Sequence, residues 1–379
     1  MLARRSESSP LRAPLLAGGA AAVACIAVIA ALALTGRSDQ VAVGARAPIA
    51  SEPPLGLAAA GEPVEFVETE GEAASLPGVS ETAETLTAPQ SGSGARSEPD
   101  RQAASRGAPP APVEGLYEPG PGGPLPVVAA DGRRGSEVYA APFEGEPDAP
   151  TIAVVVGGLG MSRAITQTAI EDLPAEVTLS FVPYAPNLQD WIDRARADGH
   201  EVLIELPMEP FDYPNNDPGP HTLLADLDAS ENRERLEWLL SRAAGYTGVI
   251  NYLGARLATA PGSMAEIFRE LDRRGVAIFH DGSGRRSALA DAASRADARL
   301  ELADRVLDGD PTPRAIEERL LELEALALQD GAALGSGFAY PATVERTARW
   351  AEGLAARGYQ LAPASYLLRR QAGEAEQES

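Results

Sequence analysis

From Thr151 onward the chain alternates short apolar runs with longer amphipathic ones, and no other feature limits its possible folds as much. Strand-like runs rich in β-branched residues lie at 152–156, 177–182, 201–206, 247–251, 276–280, 303–307, 332–337 and 359–363. Helical stretches fall between most of them, at 162–172, 187–198, 230–243, 262–274, 313–329 and 342–357. The punctuation agrees. Pro186-Asn187 opens one helix and Gly199 closes it, Ser230 with Arg233 and Glu234 begins another, and Gly275 and Gly358 end two more. Strands joined by helices pair in parallel, because each crossover returns the chain to the same end of the sheet. About eight such strands predict an α/β fold, either doubly wound or closed as a barrel, and the count favours the barrel.

Upstream the chain is built differently. Leu15 to Leu34 carries no charge, with Arg4, Arg5 and Arg12 before it and Arg37 after it. That run has the length of roughly 20 residues that a helix needs to span a bilayer. The arginines keep the N-terminus cytoplasmic and export the rest. A cleaved signal peptide and a lipid-modified Cys25 are the alternatives. From Ser38 to about Pro150, segments such as "RGAPPAPVEGLYEPGPGGPLP" are too poor in apolar periodicity to offset the entropy of ordering. The expected map is therefore a cytoplasmic tail (1–14), a transmembrane signal anchor (15–35), a disordered acidic linker (36–149), one folded domain (150–370) and a disordered tail (371–379). This describes a single-pass inner-membrane protein with its C-terminal domain in the periplasm.

The chain has 379 residues, a net charge of -23 and no lysine among its 32 basic residues. Such acidity argues against nucleic acid as a partner. One cysteine, Cys25, excludes an intrachain disulfide.

In an α/β fold, chemistry gathers where strands end. Here those positions hold Gly157 and Gly158, Glu205 to Glu209, Asn251 to Arg256, His280, Asp281, Phe338 and Ala339. The glycines of "GGLGMS" do not make a nucleotide loop, because Arg163 stands where the third glycine belongs and no acid ends the second strand. Neither a Walker lysine nor a G-x-S-x-G elbow is present. Of three histidines, His200 reads as a turn-stabilising residue and His221 as exposed in a Pro/Gly loop. His280 is the best single catalytic candidate. Strand alternation places His280 and Asp281 on opposite faces, and no histidine pair has metal-ligand spacing.

The segments "FVPYAP", "GHEVLIELPMEPFDYPNNDPGPHTLL", "GVINYLGARL", "IFHDGS" and "YPAT" resemble, in order, the divergent polysaccharide deacetylase family across residues 151–368. The resemblance implies a distorted (β/α) barrel and removal of N-acetyl groups from glycans. Water would be activated there on a divalent metal such as zinc, held by Asp and His, with an aspartate as base and a histidine as acid. Departures fall at the decisive places. The family's aspartate pair in "IDDLG" is Gly157 and Gly158, and its histidine before "LPMEP" is Glu205. The histidine of "NNHMGSRF" is Tyr252, with Arg256 kept, and that of "GHPYPAT" is Phe338. Of the implied metal-binding and proton-moving residues, only Asp281 remains. The expectation is a catalytically degenerate domain that binds cell-wall glycan or an envelope protein through Asn251, Tyr252, Arg256 and Phe338, with no metal ligands and no cofactor. The alternative is a hydrolase with a relocated carboxylate site drawn from Asp281, Glu205, Glu209 and His280.

Overall fold

The computed structural model describes residues 109–378, apart from 147, 284 and 285. The anchor expected at 15–35 lies outside the described residues. Among the described residues no helix is long and apolar enough to cross a membrane.

A parallel sheet of nine strands forms the centre: β3 (Thr151–Leu159), β4 (Thr178–Phe181), β5 (Val202–Met208), β6 (Gly248–Leu253), β7 (Ala277–His280), β8 (Leu300–Leu302), β9 (Arg305–Val306), β10 (Ala332–Phe338) and β11 (Gln360–Leu361). The order is β8-β7-β6-β5-β4-β3-β10-β9, with β11 added beside the start of β3. The two ends of that order, β8 and β9, are consecutive in the chain. Only Ala303 and Asp304 lie between them; Ala303 N–H donates to His280 O (2.8 Å) and Asp304 N–H to Leu334 O (2.7 Å). A sheet whose opposite edges are spanned by two residues must curl. The expected barrel is therefore a curled half-barrel with a chain crossing, rather than a strand pair, at its seam.

Helices α2 (Arg163–Asp172), α3 (Leu188–Ala197), α4 (Ala229–Leu240), α5 (Pro261–Arg273), α6 (Arg286–Ala296), α7 (Pro313–Asp330) and α8 (Pro341–Glu352) make the crossovers. Local chemistry sets their ends. Asp228 and Glu231 form a capping box that starts α4 just before the expected Ser230, and proline occupies the first turn of α5, α7 and α8. Outward residues such as Ile152, Val154, Val156, Leu179 and Ile204 pack under the helices, while Ala153, Val155, Leu203, Ile250, Phe279 and Leu334 face inward.

Two expectations are corrected. The segment 109–149 is ordered over most of its length. It carries an antiparallel hairpin, β1 (Tyr117–Pro119) with β2 (Pro124–Pro126), and a short helix, α1 (Gly135–Val138). Its partners come from the domain. Arg274, 5% exposed, reaches Glu118 (3.1 Å) and Pro126 O (3.1 Å) while also binding Glu237 and Glu270. Arg196 donates to Pro109 O, and Thr247 Oγ1 donates to Tyr139 O (3.0 Å). Such a strap needs few apolar residues of its own (Leu116, Leu125 and Ala129 are buried), so its sequence shows no period. The expected tail is likewise helical: α9 (Ala364–Glu378) continues past residue 371. Its Ala364, Leu367 and Leu368 plug the inner core, and buried Glu201 accepts from Ser365 N–H (3.0 Å) at its first turn.

Candidate functional site

Alternation along the strands builds a ring at the C-terminal mouth of the curled sheet. Two residues beyond the inward layer of Val155, Thr178, Leu203, Ile250 and Leu334 stand Gly157, Ser180, Glu205, Tyr252 and Ser336, with Phe338 above. Glu205 is at its centre and 3% exposed. Its Oε1 accepts from Gly158 N–H (2.5 Å) and from Ser180 Oγ (3.1 Å). Burial pushes its carboxyl up to about 7, against the pull of those two donors.

The glycines make room for this carboxylate. A Cβ on Gly157 would lie 2.6 Å from Ser180 Oγ and 2.7 Å from Glu205 Oε1, closer than such contacts allow. Gly158 has φ +76° at a register shift where β3 bulges against β4, and a Cβ there would meet Phe338 Cδ1 at 3.2 Å. Phe338 stands edge-on to Tyr252 (centroids 6.0 Å apart, 88°) and 6.2 Å from Tyr340, which is 48% exposed. Three rings thus border the mouth beside Glu205. Burial raises the Tyr252 phenol, and the charges of Glu205 and Tyr340 add to the rise.

Two further clusters hold the remaining candidates. Asp281 and His280 touch, Oδ1 to Nδ1 at 3.1 Å, contrary to the alternation argument, because β7 ends at His280 and the chain turns there. Burial acts to raise Asp281, but the His280 contact and Ser283 outweigh it and hold the carboxyl low. His280 Nε2 is buried and has no hydrogen-bond partner among the described residues. Asn251 brackets this turn: its Oδ1 accepts from Asp281 N–H (2.8 Å), and its Nδ2 donates to the carbonyl of Leu253, whose φ is +59°. In the third cluster Arg256 bridges Glu209 (2.5 Å) and Asp226 (2.6 Å), while Glu209 also accepts from Ala225 N–H. Asn251, Glu209 and Arg256 are committed to protein partners. Glu205, Tyr252 and Phe338 are the candidates that the mouth brings together.

The sequence reading missed Ser180, whose signal is its period-2 register with Thr178. It also missed Asp308, which pins the β10–α8 turn by accepting from Phe338 N–H and Thr343 Oγ1. His200 is a buried tie between the Val177 and Ile170 carbonyls, as a turn-stabilising role requires. His221, expected to be exposed, stacks on Trp238 at 3.7 Å.

The sequence profile of the divergent polysaccharide deacetylases matches residues 154–368. The chain belongs to that family. A crystal structure of an uncharacterized protein from Agrobacterium tumefaciens C58 is 40% identical; the match covers 65% of this chain and 99% of that one, with a TM-score of 0.63. The uncharacterized protein YibQ of Escherichia coli K12 is 21% identical over 193 residues, 51% of this chain. The chain spans 60% of that relative's length. A CE4 family pseudoenzyme from Bacillus anthracis is 14% identical, with a TM-score of 0.32 over 61% of this chain and 70% of that one.

The divalent metal implied by the family resemblance does not fit these residues. Gly157 and Gly158 offer no side-chain ligand, and Glu205 Oε1 is taken by two hydrogen-bond donors. Among the described residues no group of three His, Cys, Asp or Glu side chains is placed to hold a metal ion.

Proposed function

We propose that this domain holds cell-wall glycan without hydrolysing it, on a chain anchored in the inner membrane through residues 15–35. One observation carries the reading: the Glu205 carboxyl occupies the space that a side chain at position 157 would need, beneath the row of Tyr252, Phe338 and Tyr340. An aromatic border suits the apolar faces of sugar rings, and removing the metal ligands leaves the binding surface without its chemistry. The full-length chain should sediment with purified cell-wall sacculi and release no acetate from them, with or without added zinc. Tyr252→Ala and Phe338→Ala should each lower the retained fraction. Turnover to free acetate, or wild-type protein left entirely in the supernatant, refutes the proposal.

A second reading, a carboxylate-based hydrolase, draws on the opposite environments that raise Glu205 and depress Asp281. The geometry favours it less. β6 lies between their strands, which sets them about 10 Å apart across the sheet, and each carboxylate already has its own partners.

A further inference from the structure

We infer that Glu205 is the polar specificity contact of the mouth, donating a hydrogen bond from Oε2 to an uncharged acceptor on the glycan, such as the carbonyl of an acetamido group. This rests on the glycan reading and assigns its polar selectivity to a single atom.

The two carboxyl oxygens of Glu205 are used unequally. Gly158 N–H and Ser180 Oγ both address Oε1, and Oε2 has no hydrogen-bond partner among the described residues. An oxygen that already accepts two hydrogen bonds is the poorer place for a proton. A neutral carboxyl here therefore carries its proton on Oε2. Oε2 is not one of the fully buried atoms left without a partner, so it opens toward the mouth, where an acceptor brought by a ligand can reach it in place of water.

The surroundings favour the neutral form. β3 presents backbone at Gly157 and Gly158, β4 presents the Ser180 hydroxyl, and β6 presents the Tyr252 phenol; none of these is a cation that would hold the carboxylate charged. The same burial that lifts the group to about 7 keeps a large share of it protonated near neutrality. An ordinary glutamate would be an acceptor only. This one donates below its midpoint and repels acceptors above it.

N-acetylchitotetraose, a soluble tetramer of N-acetylglucosamine, serves as the probe for the full-length chain in a calorimetric titration. If only the protonated form binds, wild-type affinity falls about 30-fold between pH 6 and pH 8.5. Glu205→Gln keeps an acceptor for Gly158 and Ser180 and places a permanent donor at the Oε2 position, so its affinity should no longer vary over that range. A measurement needing no variant is proton uptake at pH 7.5, read by repeating the titration in buffers of different ionisation enthalpy. About 0.8 proton per bound tetramer is expected. Zero uptake, or a Glu205→Gln profile that falls like the wild type, overturns the inference. pH-independent wild-type binding that Tyr252→Ala still abolishes overturns it too, while leaving the glycan reading standing. Absence of wild-type binding at pH 6 removes both.

Discussion

Replacing Gly157 with alanine tests the interlock between β3 and β5 directly. The new methyl group would meet Ser180 Oγ at 2.6 Å and Glu205 Oε1 at 2.7 Å, both side chains in a buried network that also holds the Gly158 N–H. Overpacking of this kind costs about 1–3 kcal/mol. Loss of glycine flexibility returns about 0.5–1 kcal/mol, since residue 157 is not in the left-handed region. Weakening the hydrogen bonds to a buried carboxyl adds about 1 kcal/mol. The net expectation is a loss of about 2 kcal/mol. In a Glu205→Ala background the carboxylate is gone and Ser180 is free to rotate away, so the same substitution should cost close to nothing. Urea unfolding of wild type, both single variants and the double variant gives the coupling energy, expected at about 2 kcal/mol. Additivity within about 0.5 kcal/mol, with Gly157→Ala as stable as wild type, would refute the claim that Glu205 fills the place of a side chain at 157.

Stability should also depend on pH through Glu205. Its folded value of about 7 lies above the ordinary 4.5, so the folded state holds the extra proton between them. Stability from this group is full below 4.5, declines as pH rises toward 7 and is flat beyond, a loss of about 3 kcal/mol. Glu205→Gln should remove that decline from the urea midpoint, and parallel curves for the two proteins would contradict it. Arg274→Ala should cost about 1–3 kcal/mol, because it removes the hydrogen bonds of a buried guanidinium to Glu118, Pro126 O and Glu237 and leaves Glu270 with Arg273 alone. Limited proteolysis should then cut within 109–149 well before the sheet, and cleavage no faster than in wild type would show that Arg274 is not the pin.

The central α/β alternation was legible because most strands and helices carry their own period and their own stops; β8 (Leu300–Leu302) and α6 (Arg286–Ala296) fell outside the expected runs, and the run 303–307 holds only the two-residue β9. Thr151–Val156 declares itself by five β-branched residues broken only by Ala153, and α5 and α8 by proline at their first turns. The strap and α9 were not legible, for one shared reason. Their order comes from partners far off in sequence, as Glu118 takes its order from Arg274 and Ser365 from Glu201. No local window contains both halves of such a contact. At the site, glycines in place of aspartates were visible as an emptied position. What filled it was not, since the meeting of Gly157 with Glu205 is set by strand order and register. Alternation failed at His280–Asp281 because it holds only inside a strand, and β7 stops at the first of the pair.

The strap also decides how the folded unit carries load. Pro109 is tied to Arg196 in the last turn of α3, and Ala111 lies against Gly245 just before β6, both at the end of the sheet opposite the mouth. β3 alone has nine residues, which sets the two ends about 30 Å apart. A pull arriving through the preceding chain would be borne first by the Arg196 and Arg274 ties, peeling the strap before it strained β3 or β5. The rings at the mouth would keep their geometry under tension, with the strap acting as a mechanical fuse.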